Sequence, residues 1–176
     1  HSVGRNFSAV GGGGAVVNTL LEKAQSLGVE VMFETPATEL MTEGSKVVGV
    51  KAQAADGTPY EIAGKNVILA TGGYGANTEL LNPETAALPY AGAVSATGDG
   101  LLMAEAVGAE AFDLDLVNIQ PHSIKLPNGR GQHTYQGCLA MYGGTGSILV
   151  SDQGERFVNE QASANDIIAG MRQHDR

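Results

Sequence analysis

Thr97, Gly98, Asp99 and Gly100 stand in a row (TGDG) at the head of an apolar-periodic segment. Backbone N–H groups at a helix N-terminus lack intrahelical partners, so such a row can receive a cofactor oxygen or a carboxylate. The same residues also suit a plain helix cap, with Thr97 or Asp99 contributing about 1 kcal/mol. Upstream, VILATGG occupies residues 67–73, where large apolar residues run into Ala70, Thr71, Gly72 and Gly73. This is the pattern of a buried strand that stops at a turn. His122 follows Gln120 and Pro121 in a loop setting of the kind where ligands are commonly met. His133 and Tyr135 lie further along, in a glycine-rich stretch that offers further site residues.

Other chemistries find little support. The glycines at 11–14 lack a preceding strand and fail the G-x-G-x-x-G spacing of a dinucleotide fingerprint, so a flexible helix entry is the better reading. Cys138 is the only cysteine and no His-x-x-x-His pair exists, so no metal site is expected. No nucleophile elbow anchors Ser/His/Asp catalysis. The net charge of −9, without a basic patch, excludes nucleic acid as the main partner. No uncharged apolar run reaches the about 18 residues of a membrane span. The chain starts at His1, so a piece of a longer protein is expected, and compartment (cytoplasm or cell envelope) stays open.

These residues need elements to position them. Residues 16–27 place Val16, Val17, Leu20, Leu21, Ala24 and Leu27 on one helical face, with Gly28 as the stop and a strand over 29–33. Turns at Gly44-Ser45 and Asp56-Gly57 separate two or three antiparallel strands, among them alternating Val48, Val50, Ala52 and Ala54. Residues 66–70 lack alternation, as in a parallel strand buried on both faces. A helix follows TGDG with Leu101, Leu102, Met103, Ala106 and Val107 inward and Gly108 as its end. Residues 113–124 read as extended, 147–150 and 156–159 as a hairpin, and 162–171 as a last helix.

In this order the pieces resemble the FAD-binding flavoproteins of the succinate dehydrogenase/fumarate reductase family, in particular the soluble flavocytochrome c-like fumarate reductases. The residues that carry the likeness are Gly11 to Gly14, VILATGG, TGDG, Gln120-Pro121-His122 and GERFVNE at 154–160. The resemblance covers nearly the whole chain. It implies an α/β fold: part of a Rossmann-like FAD-binding domain with an inserted antiparallel β-sheet (residues 1–117), then the start of an α+β clamp domain (118–176). It implies FAD contacts at Ala37, Ala70, Thr71, Gly72, Gly73, Thr97, Gly98 and Asp99, and a substrate-binding role for His122. The implied partners are a small organic acid or enoate-like substrate and an electron-donor domain or protein carrying haem or FMN.

The family pattern is also broken in places. Its N-terminal G-x-G-x-x-G unit and its C-terminal substrate-binding part have no counterpart here, so an isolated piece is expected to be inactive. The Thr, Glu and Arg of its clamp motif fall on Leu139, Ala140 and Gly143, and its proton-donating Arg falls on Ala164. Tyr142, or Tyr135, takes the proton-donor role in this reading. Two rivals stand beside it: a flavoprotein-like binding module without catalysis, and a non-flavin nucleotide-binding α/β domain.

Overall fold

A computed structural model of the chain describes residues 9–134 and 146–174. Helix α1 (Gly12–Ser26) is entered through Gly11 and Gly12, both at positive φ. The glycine run therefore forms the helix entry itself. The helix ends as its sequence requires: Gly28 at φ 81 lets its own N–H and that of Val29 reach back to Gln25 and Ala24. The apolar face forms but stays open, with Val17, Leu20 and Leu27 each more than 60% exposed.

Three strands follow as an antiparallel sheet in the order β1–β2–β3: β1 (Ala37–Glu43), β2 (Lys46–Gln53) and β3 (Pro59–Ala63). Gly44 turns β1 into β2. Asp56 closes the second turn, its carboxylate accepting from Thr58 N at 2.9 Å while Gly57 takes φ 88. Leu40 and Ala52 are the buried apolar side chains of this sheet, and β3 is exposed throughout. A short 3₁₀ turn (Thr78–Leu80) and helix α2 (Pro83–Ala86) are capped by Asn77 and Asn82, as asparagine's short acceptor favours. Helix α3 (Asp99–Ala106) lies against β1 and buries Gly100 and Met103. Gly108 ends it in the same manner as Gly28 ends α1. Hairpin β4 (Ser123–Lys125) and β5 (Gly131–His133) precedes helix α4 (Ala164–Arg172), which Ser163 caps by accepting from Asp166 N.

Four expected elements differ. Residues 29–33 and 66–70 form no strand, and Ile68 is 89% exposed instead of buried on both faces. A strand exists only through a ladder of hydrogen bonds to a neighbouring strand, and among the described residues none pairs with either segment. Residues 113–124 contain a turn at 114–115, where Leu116 N donates to Asp113 O and Asp113 takes φ 56. The hairpin expected over 147–159 shrinks to a single bridge between Val150 and Arg156.

The GERFVNE segment is held by another device. Glu160, 4% exposed, accepts from Leu149 N at 2.8 Å and from both Arg156 Nε and Nη2. Hydrogen bonding to Arg156, then to the Leu149 amide, lowers its pKa from 4.5 to about 2. A carboxyl whose folded pKa is depressed stabilises the fold fully above its unfolded value, and loses that contribution as pH falls through the folded one. Glu160→Gln is therefore expected to lower the thermal midpoint at about pH 7, with the gap to the parent closing between roughly pH 4.5 and 2. Parallel melts across that range test this; a gap that stays constant with pH would contradict it.

Candidate FAD site

Two loops are stitched together at the start of α3. Gly98 N donates to Gly73 O at 3.2 Å, Ala76 N to Ala96 O at 2.9 Å, and Asn77 Nδ2 to Thr97 O at 3.0 Å. Gly98 is buried at φ 84, and the space for a Cβ there is taken by Leu80 Cδ1 and Tyr74 Cβ. No other residue meets both demands. Two residues on, a Cβ at Gly100 would collide with Thr71 Oγ1, so the ATGG strip lies directly on the first turn of α3. Thr97 Oγ1 donates to Asp99 Oδ1 at 2.8 Å, which orients the carboxylate.

Asp99 also lines a groove of about 630 Å³ between β1 and α3, together with Ala37, Leu40 and Met103. The structure thus brings Thr71, Gly73, Thr97, Gly98 and Asp99 into one cluster and sets Ala37 in the groove that Asp99 shares. Ala70 and Gly72 flank the cluster in the chain. Gly72, at φ 81, is required by its backbone conformation, while a Cβ at either Gly72 or Gly73 would meet nothing within 4 Å. Exposed backbone therefore runs beside the N-terminus of α3 with protein-free space over it. That suits FAD, whose phosphate and ribityl oxygens need N–H donors and close backbone approach.

His122 sits elsewhere, at the head of β4. Its carbonyl accepts from Thr134 N at 2.9 Å and Thr134 Oγ1 at 3.1 Å, and its ring centroid lies 5.0 Å from that of His133. Burial, and then the neighbouring His133, lower its pKa below 6.5. The two clusters are linked through Tyr90. Its ring fills the space a side chain at Gly75 or Gly92 would need, and its carbonyl accepts from Gly131 N of β5 at 2.9 Å. Tyr142, Tyr135 and the Leu139, Ala140 and Gly143 positions lie outside the described residues. Ala164 is the first residue of α4; Arg172 pairs with Glu84 and Arg156 with Glu160.

Sequence reasoning missed Tyr74, Asn77 and Tyr90, and gave Gly100 no packing role against Thr71. The glycine of TGDG next to Asp99 was a usable signal, because a second glycine inside a helix asks what lies against it. Asn77 and the tyrosines carried none, since the contacts that join the two loops, Asn77 to Thr97, Tyr74 over Gly98 and Tyr90 to Gly131, reach far along the chain.

The whole chain, residues 1–176, matches the FAD binding domain family model. The chain belongs to that family. FAD is accordingly the cofactor of this domain. The NADH:fumarate oxidoreductase of Klebsiella pneumoniae is 29% identical over 170 residues, covering 95% of this chain and 17% of that protein. Urocanate reductase of Eggerthella lenta is 33% identical over 177 residues, covering 96% of this chain and 28% of the relative. Among solved structures, the open conformation of a flavocytochrome c3 fumarate reductase superposes with a TM-score of 0.70 at 28% identity, over 88% of this chain and 27% of that one. The chain thus spans less than a third of the length of each of these proteins. The mixed α/β architecture with its small antiparallel sheet is the fold of this FAD-binding family.

Two substitutions separate cofactor contact from packing. Gly73→Ala is expected to leave the unfolding midpoint unchanged but weaken FAD binding roughly tenfold or more, because the new methyl occupies only the open strip. Gly100→Ala is expected to harm both, since overpacking against Thr71 costs about 1–3 kcal/mol. Flavin-fluorescence titration of the apo full-length protein, alongside thermal melts, distinguishes the two.

Proposed function

We propose that the chain is the middle of the FAD domain (1–117) and the opening of a substrate clamp (118–176) in a flavoenzyme acting on a C=C or CH–CH bond of a small organic acid. The carrying observation is the ATGG strip stitched to the TGDG helix start, beside open space and backbone donors. The names of the two relatives support the substrate class, because fumarate and urocanate both hold a C=C bond conjugated to a carboxylate.

FAD when bound supplies a two-electron hydride transfer at flavin N5. The work of this chain is to bind, orient and protonate. Ala37, Ala70, Thr71, Gly72, Gly73, Thr97, Gly98 and Asp99 hold the cofactor, mostly through backbone. His122, uncharged at neutral pH because its pKa is lowered, orients the substrate by hydrogen bonding. Reduction delivers hydride to one carbon and a proton to its neighbour, so an acid must stand opposite the flavin. Ala164 has no proton to give. The role passes to Tyr142 in this reading, with Tyr135 as the other phenol of the same glycine-rich stretch of sequence. Loss of the family's arginine favours an enoate other than fumarate, and an electron donor carrying haem or FMN returns electrons to the flavin.

The test is anaerobic reduction of the full-length, FAD-loaded protein followed by a panel of enoates, with flavin reoxidation read at 450 nm, roughly the flavin absorbance maximum. Reoxidation by at least one enoate is expected. His122→Ala should raise its KM, and Tyr142→Phe should lower kcat by about 10²- to 10⁴-fold. Flavin that binds yet is reoxidised by no member of the panel would overturn the catalytic reading in favour of a binding module.

A further inference from the structure

The β4–β5 hairpin does more than present His122. Its strands pair Ser123 with His133, Ile124 with Gln132 and Lys125 with Gly131, so the residue after His122 lies directly opposite the second histidine. Ser123 Oγ and His133 Nδ1 are 2.9 Å apart. That bond fixes the His133 ring, which meets the His122 ring at a centroid separation of 5.0 Å and a tilt of 33°. The next residue, Thr134, grips the His122 carbonyl with both its amide and its hydroxyl. Residues 133 and 134 therefore hold His122 at both ends, one at the ring and the other at the backbone.

The hairpin itself is anchored. Leu126 N donates to Arg130 O at 2.7 Å across a turn where Gly129 takes φ 84. Gly131 N bonds to Tyr90 O, and the backbone there passes so close to Pro89 O that no side chain fits at 131. Arg130 Nη2 donates to Gly92 O at 3.3 Å. These contacts set the height of β5 on the 89–92 segment, and so the place of His133.

We propose that His133 is a positioning residue for His122: its ring, braced by Ser123, holds the His122 imidazole in the orientation that meets the substrate. This rests on the reading of His122 as the substrate-orienting histidine. An exposed strand-end histidine without such a role would need neither a fixed ring nor a partner ring within packing distance. Among the charged and titratable groups of the hairpin, His133 is the one whose ring meets that of His122, in a tilted arrangement. Lys125 is placed at the far end of β4, and Arg130 is turned to Gly92. Removing His133 thus takes away the ring packed on His122 and the neighbour whose electrostatics oppose its protonation.

The experiment uses the full-length, FAD-loaded protein with His133→Gln, His133→Ala and Ser123→Ala. Gln keeps a group able to bond Ser123 but not the ring. Both His133 variants are expected to raise KM for the best enoate by roughly 10-fold, with kcat held within about 2-fold, as loss of an orienting partner does. Ser123→Ala should move KM the same way by less. In ¹³C-histidine-labelled protein, the His122 ring resonance should titrate at higher pH in both His133 variants, and the acid limb of kcat/KM should move up with it. A His122 titration unchanged by His133→Gln, together with an unmoved KM, overturns the proposal. An unmoved KM in His122→Ala would instead overturn the substrate role of His122, while the NMR titration still decides whether His133 governs the ring.

Discussion

One backbone hydrogen bond, from Gly98 N–H to the Gly73 carbonyl, sets the geometry on which the site depends. It joins two segments that have no regular structure of their own, and it can form only where the chain makes a positive-φ turn with no side chain in the way. Leu80 and Tyr74 close over that turn, so the glycine is enclosed by packing as well as chosen for conformation. Once the bond is made, Gly100 lands against Thr71, Asp99 lines the groove with Ala37, and the start of α3 lies beside the open strip. Longer side chains at 98 or 100 would separate the strip from the helix.

The electrostatics of the site follow from this choice of backbone over side chain. The chain carries nine more acidic than basic charges, and two of its arginines are committed to Glu84 and Glu160. At the start of α3 partial positive charge comes from peptide dipoles without a flexible cation, an arrangement suited to an anionic cofactor. Thr97 keeps Asp99 fixed beside those donors. Tyr90 joins this region to the histidine hairpin, since one residue fills the space over Gly75 and Gly92 with its ring and anchors β5 with its carbonyl.

Much of the local architecture was legible in advance because its causes are local. Both glycine stops, Gly28 and Gly108, work by the same left-handed turn, and the Asp56-Gly57 turn closes on its own side chain. Helices α1, α3 and α4 lie where their periodicity and caps place them. The strands expected at 29–33 and 66–70 were not legible in the same sense. Their apolar runs are real, yet Phe33 and Ile68 remain exposed, because strand formation is a property of a pair and not of a segment.

The sequence by itself determined the family motifs, both glycine stops, the Asp56-Gly57 turn and helices α1, α3 and α4, since each of these rests on residue types and conformational preferences within a few residues. Only the tertiary structure decided which of them meet. Thr71 against Gly100, Asn77 on Thr97, Tyr90 against Gly75 and His133 against His122 are all contacts across ten or more residues of chain. Their distances depend on how loops are packed, and no periodicity or spacing along the chain encodes that.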